Sequence, residues 1–136
     1  MTADRERLAG LSGFRYALRR FLAASEVINH KAGITQPQYQ AMLAIAAWEN
    51  DAMAMKDLAD ELLLTHHAAV QLVDRLAAAG LAERTPSPDD RRSVRLRLTA
   101  RGGALLDELA AFHLDEILRQ EPLLSRSLKR LRRLAP

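Results

Sequence analysis

The chain is 136 residues long, enough for one domain and too short for two full-sized ones. With 49% hydrophobic and 27% charged residues it has ordinary globular values, which exclude a disordered tail, a collagen-like rod and a charge-rich linker. The absence of cysteine excludes disulfides, thiolate nucleophiles, cysteine zinc sites and thiol redox sensing, and a formal net charge of +3 favours an anionic partner. Aromatics at 4% among many Ala, Leu and Arg point to a mainly α chain, and a β-sandwich is not expected. No apolar run approaches the roughly 20 residues that cross a bilayer. The first ten residues are charged and unlike a signal peptide, so the expectation is a cytoplasmic protein with no membrane partner.

From Thr2 to about His30, Leu8, Leu11, Leu18, Phe21, Leu22 and Ile28 recur at helical spacing and predict one long amphipathic helix, with Asp4 and Glu6 in its first turn. Gly33 ends it, and Thr35 with Gln38 forms a capping box for a second helix through Trp48. Asn50-Asp51 interrupts that helix, and Met55 to Leu63 predicts a short helix with Leu58 and Leu62 inward. Thr65 then caps a helix whose apolar stripe is Ala69, Val70, Val73, Leu76 and Ala77, closed by Gly80. Two short helices joined by so short a turn suit a helix-turn-helix as well as an ordinary helical hairpin.

The following segment favours the helix-turn-helix. Residues 93–99 alternate apolar and polar, the period of a strand with one buried face, with Val94, Leu96 and Leu98 inward and Arg95 and Arg97 outward. Leu81 to Arg84 is a short partner strand, and Pro86 to Arg92 is rich in turn formers, so a β-hairpin with a basic tip follows the helix pair as a wing. Thr99 caps a further helix to about Gln120, with close packing as the reason for Gly102-Gly103 in its first turn. Pro122 starts a last basic helix, Leu123 to Leu134.

The chain resembles the MarR family of winged helix-turn-helix transcriptional regulators. The resemblance rests on Leu72-Val73-Asp74-Arg75-Leu76, Gly80-Leu81, Glu83-Arg84, Pro88-Asp89-Asp90-Arg91-Arg92 and Leu98-Thr99-Ala100-Arg101-Gly102 in order and spacing, and covers about 33–109 well. It implies a mainly α (α+β) unit over 1–136, a DNA-binding winged helix-turn-helix over 35–99, and dimerisation helices over 2–30 and 100–136. By the same resemblance, a homodimer sets two recognition helices in successive major grooves of a pseudo-palindromic operator and two wings in flanking minor grooves. The implied function is transcriptional repression on double-stranded DNA, relieved by a small aromatic or anionic effector. The rival reading is a winged-helix module for protein–protein interaction without specific DNA binding.

Thr65, His66, His67 and Gln71 fall at N-terminal and exposed positions of the recognition helix, and Gln71 is the foremost candidate for base contact because Gln pairs bidentately with adenine. Ala68, Ala69 and Gln71 depart from the family's usual pattern, so a sequence preference does not transfer. At the wing tip, Arg91 and Arg92 resemble the family's minor-groove element, with Asp90 orienting the arginine. Arg84, Arg95 and Arg97 are expected on phosphates or in water, and Arg75 as a structural ion-pair residue that holds the wing to the helix. Lys129, Arg130, Arg132 and Arg133 read as a solvated basic face.

Phe14, Tyr16, Tyr39, Trp48 and Phe112 are candidate effector-pocket residues by position, with plain core or interface packing as the competing reading. Glu26 with His30 and His113 with Glu116 are half of a metal site at best, and no metal or cofactor is expected. No phosphate loop, nucleophile elbow or HExxH is present, and an enzyme is not expected.

Overall fold

The computed structural model describes residues 3–90 and 92–136. Helix α1 (Ala3–Lys31) ends where Gly33 turns to φ +79, a conformation in which a Cβ is disfavoured. The turned backbone lets the Gly33 and Ile34 amides donate to the carbonyls of His30 and Asn29, at 3.0 and 3.1 Å, and drives Ile34 into the core. Helix α2 (Gln36–Ala47) opens on the expected capping box: the Gln38 amide donates to Thr35 Oγ1 and the Thr35 amide to Gln38 Oε1. Asn50 and Asp51 then adopt positive φ in a single 3-10 turn (Glu49–Asp51).

A two-residue strand β1 (Met53–Ala54), absent from the sequence reading, precedes α3 (Met55–Leu62). Two residues carry too short an alternation to show in a sequence, and only pairing with a distant strand defines them. Helix α4 (His66–Ala78) is capped by Thr65, whose Oγ1 accepts from the Ala68 amide at 3.1 Å. Its end repeats the end of α1: Gly80 at φ +73 donates to Ala77 and Leu81 to Leu76. Strands β2 (Ala82–Pro86) and β3 (Val94–Leu98) form the wing, and the antiparallel sheet has the order β1-β3-β2. Ala82 faces Leu98 and Pro86 faces Val94, while Met53 of β1 faces Leu96.

The core lies where α2, α3, α4 and the base of this sheet meet, and Met42, Met53, Leu58, Val73, Leu76 and Leu96 are all but fully buried there. Val94, expected inward, is 40% exposed. It pairs with Pro86 one residue beyond the Ala54–Arg95 pair that ends β1, in the outer part of the wing. Ala77 of the expected stripe is likewise exposed, and Leu72 takes the inward position.

Helix α5 (Ala100–Leu134) runs unbroken through Pro122, where the sequence reading ends one helix and starts another. Proline removes one N–H from the ladder, and here the close pairing of α5 with α1 along its length holds the helix together. A Cβ at Gly10 of α1 would stand 2.8 Å from Leu134 Cδ1, so leucine side chains of α5 fill the space beside this glycine at the far end. At the near end, a Cβ on Gly102 would stand 1.9 Å from the Leu81 carbonyl oxygen. Close packing therefore accounts for Gly102 but not for Gly103, which has nothing within 4 Å of a Cβ. Thr99 completes the seam by accepting from the Gly102 amide at 3.0 Å and donating to the Gly80 carbonyl at 2.6 Å.

Candidate nucleic-acid interface

Helix α4 presents its N-terminus outward. Thr65, His66 and His67 are exposed, as is Gln71 one turn further on, while Ala69, Leu72, Val73 and Leu76 on the other face are buried. Four residues named from the sequence thus share one solvent-facing surface whose orphan amides and helix dipole favour an anion. Thr65 has a structural duty as well, since its hydroxyl is the cap of the helix.

The wing tip is shaped by Asp90. Its Oδ1 accepts from the Arg92 backbone amide at 2.9 Å and its Oδ2 from the Ser93 hydroxyl at 3.2 Å, while the Ser93 amide donates to its carbonyl. Asp90 therefore folds the turn through backbone groups and leaves the exposed Arg92 side chain projecting. Arg91 lies outside the described residues.

Three further arginines carry carboxylate partners. Arg84 meets Asp74 of α4 at 2.6 Å, Arg97 meets Glu83 across the hairpin at 2.6 Å, and Arg95 meets Asp89 at 3.4 Å. The ion pair that ties the wing to α4 is thus Asp74–Arg84, one residue before Arg75, to which the sequence reading gave that duty. Arg95 is half-buried, so its guanidinium is the least available of the candidate DNA contacts.

The five candidate aromatics do not line a common cavity. Phe112, 60% exposed, borders a cleft of about 250 Å³ with Ile28, Lys31, Ala32, Glu108 and Leu109. A neighbouring cleft of about 370 Å³ lies between Gly33, Ala79, Leu81, Arg101, Leu105 and Glu108, at the junction of α1, α4 and α5. Trp48 caps α2 beside a separate depression, Tyr16 is exposed with Arg20 donating to its hydroxyl, and Phe14 is half-buried on α1.

Tyr39 stacks on His113 with ring centroids 4.0 Å apart, inside a polar network that the sequence reading missed. His113 Nε2 donates to Asn29 Oδ1 at 2.9 Å, Asn29 and the Ser25 hydroxyl both bond Gln36, and Ser25 lies 3.5 Å from His113 Nδ1. Burial lowers the His113 pKa below the usual histidine value and raises that of Tyr39. Ser25 and Asn29, four residues apart on the inward face of α1, were the available signal. Glu116, the residue the sequence pairs with His113, accepts from Gln120 at 2.9 Å. Among the described residues no group of three or more His, Asp or Glu side chains is placed to hold a metal, and no helix is long and apolar enough to cross a membrane.

Comparison with known proteins shows what these features are similar to. A model of the MarR family matches residues 32–93. The chain is 38% identical over 80 residues to the organic hydroperoxide resistance transcriptional regulator of Bacillus subtilis (strain 168), an alignment that covers 59% of this chain and 52% of that protein. It is 31% identical over 97 residues to the HTH-type transcriptional regulator TtmR of Methylorubrum extorquens (strain PA1), covering 71% of this chain and 45% of the relative. The chain thus spans about half the length of the curated relatives it matches. In fold it is similar to the S. aureus MepR–DNA complex, with a TM-score of 0.70 at 20% identity over 83% of this chain and 80% of that one. It is also similar to the apo form of wild-type MarR from E. coli, with a TM-score of 0.67 at 21% identity over 86% and 92% of the two chains.

Proposed function

We propose that this chain is a member of the MarR family and a sequence-specific DNA-binding regulator of transcription. It acts as a homodimer on a pseudo-palindromic operator, represses by occluding a promoter, and is released by a small aromatic or anionic ligand. The observation that carries the reading is the surface formed by Thr65, His66, His67 and Gln71 beside the projecting Arg92, on elements that the core and the caps hold rigidly. Side chains at a helix N-terminus reach base edges and phosphates in a major groove, and an arginine on a wing reaches a narrow minor groove. One structure of similar fold is a complex with DNA, which supports the DNA-binding reading.

The homodimer is supported by what one chain leaves uncovered. Leu8, Leu11 and Leu22 on α1, with Phe112, Leu114 and Leu118 on α5, are exposed apolar side chains that a second copy would bury. Helix α5 is also self-complementary in charge. Asp107, Glu108, Asp115 and Glu116 outweigh Arg101 before its middle, and Arg119, Arg126, Lys129, Arg130, Arg132 and Arg133 outweigh Glu121 after it, so an antiparallel α5 pair would bring opposite net charges together. The cleft where the ends of α1 and α4 meet α5, and its neighbour between α1 and α5, are the places where a ligand would bear on the angle between terminal helices and reading elements; Arg101 in the first and Lys31 in the second offer a positive charge beside the shared Glu108. One relative is named for organic hydroperoxide resistance. Thiol oxidation is closed to these 136 residues, which contain no cysteine.

A second reading, protein–protein interaction without specific DNA binding, is favoured by one observation: Arg84, Arg95 and Arg97 are each neutralised by a carboxylate, which weakens the attraction of the wing for phosphates. Fluorescence-anisotropy titration against the DNA upstream of the chain's own gene and against a scrambled duplex separates the two. The regulator reading expects preference for the upstream DNA by about a thousandfold or more and a steep loss of affinity with salt. Arg92→Ala is expected to weaken binding about tenfold and to lower the salt slope by about one. Equal weak binding to both duplexes, untouched by Arg92→Ala, supports the protein-interaction reading.

A further inference from the structure

Leu63 is 93% exposed, the most exposed large apolar side chain among the described residues. It also sits at φ 55, ψ 42, the left-handed region that disfavours any residue carrying a branched side chain. The turn needs that backbone, because α3 ends by donating the Leu63 amide to Asp60 at 3.3 Å and the Leu64 amide to Ala59 at 2.9 Å. Glycine would make the same turn without strain. Neither the cap nor the core uses the isobutyl group: Leu58 of the same helix is fully buried, and Leu62 is half-buried against the core. At 93% exposure the isobutyl group is free to pack on a surface from outside the chain.

Its position selects the partner. Leu63 begins the exposed run 63–67 that leads into α4, beside Thr65, His66 and His67, whereas the apolar side chains suited to a second copy lie on α1 and α5. The apolar group that a duplex displays in its major groove is the thymine C5-methyl. We propose that Leu63 is a specificity-determining residue that packs on the C5-methyl group of a thymine at the edge of each operator half-site. The inference rests on the DNA-binding reading and adds to it a base preference carried by van der Waals contact, with strain in the free chain accepted to place the side chain there.

The test starts from a duplex that the wild-type protein selects from a randomised pool. That duplex is resynthesised with deoxyuridine in place of each thymine in turn, which removes one methyl group and nothing else. Binding of wild type, Leu63→Ala and Leu63→Gly is followed by anisotropy, with thermal melting of each free protein. One thymine per half-site is expected whose replacement weakens wild type about fourfold, the worth of one buried methyl. Both variants should bind the unmodified duplex about fourfold or more weakly and be indifferent to that replacement, and Leu63→Gly should melt above wild type because the strain is gone. Variants that match wild-type affinity, or that still lose the same factor on the deoxyuridine duplex, overturn the contact. So does loss confined to Leu63→Gly, which would assign the effect to rigidity of the turn. A wild-type chain that enriches no duplex overturns the DNA-binding reading itself, and this contact with it.

Discussion

The winged part of the molecule and its terminal helices are finished to different degrees. Around α2, α3, α4 and the sheet, helix ends are capped, the large apolar side chains of the core are buried, and Gly80, Thr99 and Gly102 lock the wing base to the start of α5. Along α1 and α5, side chains as large as Leu8, Phe112 and Leu118 stay 60% exposed or more although the two helices pack on each other. The first region is complete in one chain and can present a rigid reading surface. The second leaves an apolar stripe exposed, which the proposed homodimer would cover.

The sharpest break in the complete region is Gly102→Ala. The new Cβ meets the Leu81 carbonyl, which the turn after α4 holds fixed, so the seam must open. A loss of about 3 kcal/mol is expected, visible in chemical denaturation as a lower midpoint at unchanged slope. Gly103→Ala, one residue on with open space around it, should instead stabilise by up to about 1 kcal/mol. The incomplete region answers differently: Leu118→Glu, on the exposed face of α5, should leave the winged core untouched and give monomers in sedimentation velocity, where the proposed homodimer predicts dimers for wild type.

His113 joins the two regions through Asn29 and Tyr39, and its lowered pKa sets the sign of a pH effect. The unfolded chain takes up a proton first, near pH 6.5, so stability present above that value is lost as the pH falls through the folded pKa. Denaturation midpoints should therefore drop on acidification from about pH 7 to about pH 5, and His113→Gln should flatten the dependence. The smallest effect belongs to the exposed Asp74–Arg84 pair, where Arg84→Ala should cost about 0.5 kcal/mol or less and fade in high salt.

How much of this was legible in the sequence follows the same division. Local signals predicted the helices with their caps at Thr35, Thr65 and Thr99, the glycine stops and the alternating strand, because each depends on neighbours within a few residues. Features defined by distant partners were not legible: β1 exists only by pairing with β3, and α5 continues through Pro122 because α1 supports it. At the candidate site, exposure of Thr65, His66, His67 and Gln71 followed from the helical stripe. The pairing of Arg95 with Asp89 and of Asp74 with Arg84 did not, since charge partners across a turn carry no periodicity. Leu63 falls at the predicted end of its helix, and a leucine gives no sequence sign that the backbone there turns left-handed.

The central claim is that a complete reading unit and an incomplete dimer unit together recognise one duplex. Sedimentation velocity of the chain with a fluorescently labelled duplex from upstream of its own gene tests this most directly. The account predicts one sharp boundary with two chains per duplex, and a Leu118→Glu variant that fails to form it. A single chain bound per duplex, or a boundary for free DNA unchanged by saturating protein, would contradict it.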